Sequence, residues 1–367
     1  MGLNTSNRLA KLRQKLAEKE LDGIFVSQPE NCFYLSGFAG SAGYLVITAK
    51  DAILATDFRY IEQSKGQAPD YQIFQITGKL EEWFPRLTGE LHTRRLGFES
   101  GDVTFVFHHQ LTDILGQAGS TLQLVPVEGL VESIRTIKEA EEMVLIARAA
   151  GISDSAFVHV IGKIHIGMTE KEVAWEIEKF MREHDSQAVP FELIVAAGPN
   201  SALPHAKPSL RPIKAGESVV IDIGARVGGY ASDLTRTIYL GKPDDTFKKV
   251  YDTVLGAQLA ALALIKEGMT GEMADSLART VIKEAGYAEA FGHALGHGVG
   301  LVPHEPPRLG PNSTEVLTSG MVFTVEPGIY LPGWGGVRIE DLVVMENGQL
   351  KVLSKAPKTD PDIIGAT

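Results

Sequence analysis

Alternating apolar and polar stretches predict an α/β domain in the first third of the chain. Amphipathic patterns predict helices over Arg8–Lys19 and Thr104–Leu115. Short apolar runs between turn residues predict six strands: Gly23–Ser27, Gly43–Thr48, Ala52–Thr56, Tyr71–Ile76, Arg95–Phe98 and Leu122–Val125. The glycines at positions 37, 40 and 43 fit neither a dinucleotide-binding loop nor a nucleophile elbow, so this stretch is interpreted as a turn.

The pattern changes near Glu128, and two domains are predicted, residues 1–128 and 129–367. A long helix is expected from about Glu139 at the start of the second domain.

The second domain contains an internal repeat. Gly167-Met-Thr169 and Gly268-Met-Thr270 each follow a long helix, the second of them predicted over Phe247–Lys266, and each triplet opens a further helix. Thr169-Glu-Lys-Glu172 is a capping box, which marks the start of the first of these helices. An acidic hairpin follows each triplet. The sequence therefore predicts two similar halves, each supplying one pair of carboxylates.

The first acidic hairpin joins Val219–Ala225 to Tyr230–Tyr239 through Arg226-Val-Gly-Gly229. If all four linking residues form the turn, Asp222 and Asp233 are directly opposed. Opposed like charges destabilise a sheet, and an unpaired carboxylate in an apolar strand costs several kcal/mol. A divalent cation between the two carboxylates is the simplest compensation.

The second acidic hairpin has the same arrangement near the C-terminus. Met321–Glu326 and Gly336–Val344 are strand-like and flank the turn Leu331–Gly335. Pairing that is symmetric about this turn places Glu326 opposite Glu340.

A histidine-containing segment lies between the two hairpins. Gly296, Gly298 and Gly300 argue against a regular helix there and permit close approach of neighbouring backbone. His297 lies among these glycines and is a fifth candidate ligand beside the two acidic pairs.

Composition narrows the possible partners. The chain has 367 residues, 44% of them hydrophobic, a net charge of −11 and a pI near 5.4, which disfavours binding to nucleic acid. Its one cysteine, Cys32, cannot form an internal disulfide, and a cytoplasmic location is expected. The longest apolar run, Leu255–Ile265, is shorter than the roughly 20 residues that span a bilayer, so no membrane association is expected.

Five ordered motifs resemble those of the Xaa-Pro peptidases of the pita-bread metallopeptidase family. They are Ile221-Asp-Ile-Gly-Ala, Tyr230-Ala-Ser-Asp-Leu-Thr-Arg-Thr, Gly296-His-Gly-Val-Gly-Leu-Val-Pro-His-Glu, Val325-Glu-Pro-Gly-Ile-Tyr and Gly336-Val-Arg-Ile-Glu-Asp. The resemblance covers the whole chain. It implies an α/β N-terminal domain of the creatinase/prolidase type, and an α+β pita-bread catalytic domain with an internal pseudo-two-fold repeat.

The resemblance implies that five residues hold two divalent metal ions, usually Mn²⁺, Co²⁺ or Zn²⁺. These residues are Asp222, Asp233, His297, Glu326 and Glu340. Asp233 and Glu340 are expected to bridge both ions, and Glu326 to accept a proton from the attacking water. Creatinase-like relatives share the fold but have lost the metal. Methionine aminopeptidases share the ligands but generally lack the N-terminal domain.

The resemblance also assigns roles to residues that are not ligands. It implies that His304 stabilises the tetrahedral intermediate, and that His205 and His293 bind substrate and move protons. A core histidine bonded to backbone is the alternative for His293. Arg338 lies two residues before Glu340 and is expected to hold a carboxylate, either that of the substrate or that of a ligand.

The implied activity is hydrolysis of an Xaa-Pro bond at the N-terminus of short peptides, by a homodimer. An Xaa-Pro aminopeptidase is the leading expectation, because Asp57-Phe-Arg-Tyr-Ile-Glu-Gln63 resembles a segment of aminopeptidase P N-terminal domains. The alternatives are an Xaa-Pro dipeptidase (prolidase), which accepts only dipeptides, and a metal-free binding protein with the same fold.

Overall fold

A computed structural model describes residues 5–358 of the chain. The chain forms two compact units, which divide between Arg135 and Thr136.

The first unit is built on a mixed sheet of six strands. The strands are β1 (Gly23–Val26), β2 (Gly43–Thr48), β3 (Ala52–Thr56), β4 (Gln72–Gln75), β5 (Arg95–Glu99) and β6 (Gln123–Val127), in the spatial order β4-β3-β2-β1-β5-β6. The helices are α1 (Thr5–Glu18), α2 (Pro29–Ser36), α3 (Ile61–Gln67), α4 (Leu80–Gly89), α5 (Phe105–Gln117) and α6 (Glu132–Arg135). Apolar side chains of β1–β3, α4 and α5 form the core. The predicted α/β character is confirmed.

All six predicted strands and both predicted helices of this unit are present, with ends that differ by a few residues. The short helices α2, α3 and α4 were missed. For α2 the local signals were present in the sequence, because Pro29 occupies its first turn and Gly37, with φ of 79°, ends it. In α4, Pro85 lies inside the helix, and an internal proline argues against predicting a helix from the sequence.

The second unit combines four long helices with twelve strands among the described residues. The helices are α7 (Ala140–Ile161), α8 (Glu170–Glu183), α9 (Asp245–Leu264) and α10 (Gly271–Glu284). The strands are β7 (Ile194–Ala197), β8 (Glu217–Ile223), β9 (Arg226–Val227), β10 (Tyr230–Ala231), β11 (Leu234–Leu240), β12 (Gly296–Gly298), β13 (Glu305–Leu309), β14 (Val322–Val325), β15 (Gly328–Leu331), β16 (Gly335–Arg338), β17 (Asp341–Glu346) and β18 (Gln349–Val352).

These elements form two halves with separate apolar cores. One core lies between α7, α8 and the sheet β7-β8-β11. The other lies between α9, α10 and the sheet β13-β12-β14-β17-β18. The predicted order of helix, triplet, helix and hairpin is confirmed in both halves.

The two Gly-Met-Thr triplets have the same backbone role. Gly167 and Gly268 adopt φ of 96° and 88°, a conformation that favours glycine. Thr169 and Thr270 then cap α8 and α10, and the predicted capping box at Thr169 is present. The Gly167 N–H donates to Ile213 O, as the N–H of Gly268 donates to Leu317 O. The internal repeat therefore extends to individual hydrogen bonds.

Helix α7 is long and apolar enough to cross a membrane by length and composition. Half of its apolar segment is buried inside the protein, and Ile146, Phe157 and Val160 are fully buried. Its Asp154 accepts hydrogen bonds from the backbone N–H groups of Lys355 and Ala356. Within this structure α7 is a helix of the apolar core.

The first acidic hairpin differs from its prediction. Gly228 and Gly229 alone form the turn, with φ of 57° and 87°, which are typical of a two-residue hairpin loop. The register is shifted in consequence, and Asp222 pairs with Thr235 instead of Asp233. The predicted direct opposition of Asp222 and Asp233 is therefore wrong. Asp233 lies in the break between β10 and β11.

The second acidic hairpin has the predicted register. Gly328 pairs with Arg338 and Val325 pairs with Asp341, both symmetric about Gly333. The hairpin is not continuous, because Glu326 and Glu340 lie in the breaks that separate β14 from β15 and β16 from β17. Three of the four carboxylates thus lie where strand pairing is interrupted, which frees them to point away from a flat sheet.

Candidate metal centre

All nine predicted site residues line one cavity of about 720 Å³ in the second unit. They are His205, Asp222, Asp233, His293, His297, His304, Glu326, Arg338 and Glu340. Their elements come from both halves of the repeat. Apolar side chains of Phe191, Ile194, Pro204 and Pro306 form another part of the wall.

Asp233, His297 and Glu340 are positioned to hold a metal ion. Each offers one ligand atom, and these three atoms lie within 4.8 Å of one another. Glu326 is adjacent, with its Oε1 3.2 Å from His297 Nε2, while Asp233 Oδ2 is 3.8 Å from the same nitrogen. Carboxylate oxygens and an imidazole nitrogen suit divalent ions such as Mn²⁺, Co²⁺ and Zn²⁺.

The His297 imidazole is oriented by its neighbours. Its Nδ1 lies 3.2 Å from Gly298 O, so Nδ1 keeps its proton, and Nε2, which faces the carboxylates, is the atom that would bind a metal ion. The His297 N–H donates to Thr324 Oγ1, and the Thr324 hydroxyl donates to Glu326 Oε1. Thr324 thus positions two candidate ligands. Sequence analysis missed it, although it lies only two residues before Glu326 in the chain.

The carboxylates repel one another in this buried cluster. Burial raises the pKa of Asp233, and the charges of Glu340 and Asp222 raise it further. Burial and the charge of Glu326 likewise raise the pKa of Glu340. Burial also acts on Glu326, but the hydrogen bond and charge of His297 outweigh it and bring its pKa to about 2. A divalent cation would offset the repulsion and favour the ionised carboxylates.

Asp222 provides a direct test of whether the residues fit a cation. Its Oδ2 accepts from Arg338 Nη2 at 2.7 Å, while its Oδ1 is buried and has no hydrogen-bond partner within residues 5–358. A buried carboxylate oxygen without a partner is costly, and a cation would satisfy it. The donor set therefore fits a metal centre. Of the two expected partners for Arg338, the structure shows the carboxylate of a candidate ligand.

Arg338, Tyr330 and His293 form a chain of hydrogen bonds along the cavity. Arg338 Nη1 donates to the Tyr330 hydroxyl at 2.8 Å, and this hydroxyl lies 2.9 Å from His293 Nε2. His293 Nδ1 faces Ala294 O at 2.8 Å, so the Tyr330 hydroxyl donates to Nε2. His293 therefore has the backbone partner that a core histidine would have, and it also lines the cavity. Tyr330, in Val325-Glu-Pro-Gly-Ile-Tyr330, was not predicted.

Thr235 joins Arg338 to Glu340. Arg338 Nε donates to Thr235 Oγ1 at 3.1 Å, and the Thr235 hydroxyl donates to Glu340 Oε2 at 2.5 Å. Arg236 supports the same region from inside the protein, because it is fully buried and pairs with Asp341 at 2.8 Å. The corrected register accounts for this role, since it places Thr235 opposite Asp222.

His304 and His205 are exposed on the cavity wall. The His304 ring stacks on His297, with ring centroids 3.9 Å apart. Burial and the neighbouring His297 lower the pKa of His304, which favours a neutral ring that can donate a hydrogen bond. His205 follows Pro204 after the short helix Gly198–Ala202.

Gly296 allows β12 to lie close to β14. A Cβ at this position would lie 2.0 Å from Thr324 O, so Gly296→Ala must push the strands apart and displace His297. We expect Gly296→Ala to lower the free energy of unfolding by at least about 1–3 kcal/mol and to weaken metal binding, as measured by denaturant unfolding and metal titration. The control is Gly151→Ala in α7, where an added Cβ meets no atom within 4 Å. Gly151→Ala is expected to be stabilised by about 0.5–1 kcal/mol. If both variants lost a similar free energy of unfolding, the close approach of β12 to β14 would not be the reason for glycine at position 296.

Comparisons with known proteins agree with this geometry. The model of metallopeptidase family M24 matches residues 144–347, and that of the creatinase/prolidase N-terminal domain matches residues 8–137. An Xaa-Pro dipeptidase of Pyrococcus furiosus is 36% identical over 352 residues, which is 96% of this chain and 98% of the relative.

Two solved structures are similar along almost their whole length. An Xaa-Pro dipeptidase from Bacillus anthracis has a TM-score of 0.94 and 41% identity, covering 97% of this chain and 99% of the other. An X-Pro aminopeptidase from Thermotoga maritima has a TM-score of 0.87 and 35% identity, covering 96% and 98%. With an N-terminal domain of the creatinase/prolidase type and a pita-bread catalytic domain, the chain belongs to metallopeptidase family M24.

Proposed function

We propose that this protein is a metal-dependent Xaa-Pro peptidase that hydrolyses Xaa-Pro dipeptides. The observation that carries the proposal is the convergence of four carboxylates, the His297 imidazole and four further polar side chains on one cavity. The names of the Pyrococcus furiosus and Bacillus anthracis relatives support the choice of substrate. The metal-free alternative is disfavoured by the buried, unbonded Asp222 Oδ1 and by the mutual repulsion of the carboxylates.

Two divalent ions would be held by Asp222, Asp233, His297, Glu326 and Glu340, with Asp233 and Glu340 shared between them. Asp233 and Glu340 are the most buried of the four carboxylates, at 5% and 1% exposed. When bound, such ions lower the pKa of a water molecule and polarise the peptide carbonyl. Mn²⁺ is the proposed ion, with Co²⁺ and Zn²⁺ as alternatives.

The protein's own residues then orient the reactants. Glu326, held beside His297, accepts the proton of the attacking water. His304 lies exposed beside His297 and donates a hydrogen bond to the carbonyl oxygen as negative charge develops there. His205 and His293 contact the substrate from the same cavity, and His293 takes its orientation from Tyr330 and Ala294. Arg338 acts by holding Asp222.

The apolar part of the cavity suits a proline ring. An Xaa-Pro bond has no N–H to donate, so recognition must come from shape and apolar contact. Phe191, Ile194, Pro204 and Pro306 provide such a surface next to the polar groups.

An Xaa-Pro aminopeptidase is the second candidate. A cavity of about 720 Å³ has room for more than a dipeptide, and the Thermotoga maritima structure is named for this activity. The Asp57–Gln63 segment that led us to expect an aminopeptidase forms a short helical turn followed by α3.

Chelation and substrate length test the proposal together. We expect EDTA to abolish hydrolysis of an Xaa-Pro dipeptide and Mn²⁺, Co²⁺ or Zn²⁺ to restore it, because the carboxylates need the cation to supply the nucleophile. Turnover should fall by at least about tenfold when the Xaa-Pro dipeptide is replaced by an Xaa-Pro-Xaa tripeptide. An Xaa-Ala dipeptide is the control for the requirement for proline. Equal or faster turnover of the tripeptide would favour the aminopeptidase. Activity unchanged after metal removal would refute both.

The expected homodimer and cytoplasmic location stay predictions. Sedimentation equilibrium of the purified protein checks the first, and fractionation of the producing cells checks the second.

A further inference from the structure

We propose that Lys138 is a positioning residue for His304, acting through a buried ion pair with Glu305. This inference rests on the proposed function, in which His304 stabilises the reacting carbonyl oxygen. Lys138 is not among the residues that line the cavity. Its partner Glu305 does line the cavity, so Lys138 can act on turnover only through the residues that it contacts.

The ion pair is almost fully removed from solvent. Lys138 Nζ lies 2.6 Å from Glu305 Oε1, and the two side chains are 1% and 4% exposed. The Lys138 backbone is fixed as well, because its N–H donates to Gly320 O at 2.9 Å. Its ammonium group also donates to Thr136 O at 3.3 Å. A buried charge whose partner is removed is strongly destabilised, so each member of the pair holds the other in place.

The Glu305 carboxylate connects the two ends of the segment 300–305, which contains His304. Glu305 begins β13 and pairs with Gly298 of β12. Its carboxylate lies against Gly300, where an added Cβ would be only 2.3 Å from Oε1. The Glu305 side chain, at one end of residues 300–305, therefore contacts Gly300 at the other end. Because Lys138 fixes that side chain, it also fixes the segment.

His304 depends on this segment for its position. Its ring stacks on His297 and makes no hydrogen bond or ion pair with any described residue. At its other end the segment is held by Arg226, whose Nη1 donates to Leu301 O at 2.8 Å, and by Ala231, whose N–H donates to Gly300 O at 2.8 Å. Without Lys138, Glu305 loses this ion pair at the end of the segment nearest His304, and the ring is held less firmly where the carbonyl oxygen must bind.

The test is a double-mutant cycle of Lys138→Met and His304→Ala, measured on an Xaa-Pro dipeptide. We expect Lys138→Met to lower kcat by about 10–100-fold with little change in KM and with the metal content unchanged. In the His304→Ala background the same substitution should cost less than about twofold, because the residue through which it acts is gone. An equal loss in both backgrounds, or an unchanged kcat for Lys138→Met, would overturn the inference.

Two further variants separate positioning from folding. Lys138→Met/Glu305→Gln removes both charges of the ion pair together, and should show the same loss of kcat with a near-native unfolding transition. Full turnover in this double variant would overturn the inference.

Lys163→Met breaks an ion pair with Glu176 in which Lys163 is half exposed, and should keep kcat within about twofold. If His304→Ala itself kept full turnover, the proposed role of His304 would fail. If His304→Ala lost turnover while Lys138→Met did not, only the present inference would fail.

Discussion

The Asp233→Asn variant is expected to lose bound metal and activity together, with kcat/KM lower by at least about 10³-fold. Asp233 lies 5% exposed within the cluster formed with His297 and Glu340, and it is proposed to contact both ions. An amide in its place carries no charge, so the several kcal/mol that the ions contribute to the transition state are lost with them. Metal analysis and dipeptide kinetics on the same preparation measure both effects.

The same variant should not be less stable than the wild type once metal has been removed from both. Burial and the charges of Glu340 and Asp222 raise the pKa of Asp233, so its ionised form destabilises the metal-free fold at neutral pH. Asparagine removes this cost, and its advantage disappears in acid, where Asp233 is protonated. Denaturant unfolding in EDTA at neutral and acidic pH measures the difference in stability between Asp233→Asn and the wild type, and how that difference changes with pH.

Asp252→Asn, on the exposed face of α9, is the matched control and should keep both metal and activity. An Asp233→Asn protein that was fully active after metal stripping would show that the proposed mechanism is wrong.

The His304→Ala variant is expected to keep its metal but to lose about 10²–10³-fold in kcat, the effect of removing one hydrogen-bond donor to the developing oxyanion. His304 is not part of the cluster that could hold an ion, although its ring stacks on His297 at 3.9 Å. Metal equivalents per subunit and KM should therefore change little. Steady-state kinetics and metal titration separate this result from that of Asp233→Asn.

His165→Ala serves as the control for His304→Ala, because His165 is exposed and lies in the segment between α7 and α8. Its kcat should be unchanged. Loss of metal from His304→Ala would instead assign His304 to the metal centre, against the role proposed here.

Local patterns were sufficient to predict most of the architecture. The six strands of the first unit, the two Gly-Met-Thr triplets and the capping box at Thr169 follow from hydrophobic periodicity and from the conformations that glycine and threonine favour. Short helices such as α4 were missed because their stabilisation comes from packing of Trp83 and Phe84 in the core rather than from a long local pattern.

The sequence also predicted the nine residues that the structure places around one cavity, but the physical reason given for one pair is wrong. Asp222 and Asp233 were expected to face each other across a hairpin, whereas a turn formed by Gly228 and Gly229 alone pairs Asp222 with Thr235. A shift of register by two residues keeps side chains on the same face of the sheet. Both carboxylates therefore still reach the cavity.

By itself, the sequence determined the identities and the chain order of the acidic, histidine and glycine residues, because charge, ligand chemistry and backbone freedom belong to single residues and their near neighbours. Only the tertiary structure decided which groups orient them: Thr324 beside His297, Thr235 between Arg338 and Glu340, and Lys138 on Glu305. These contacts join residues that are 27 to 167 positions apart, and no local pattern encodes such distances.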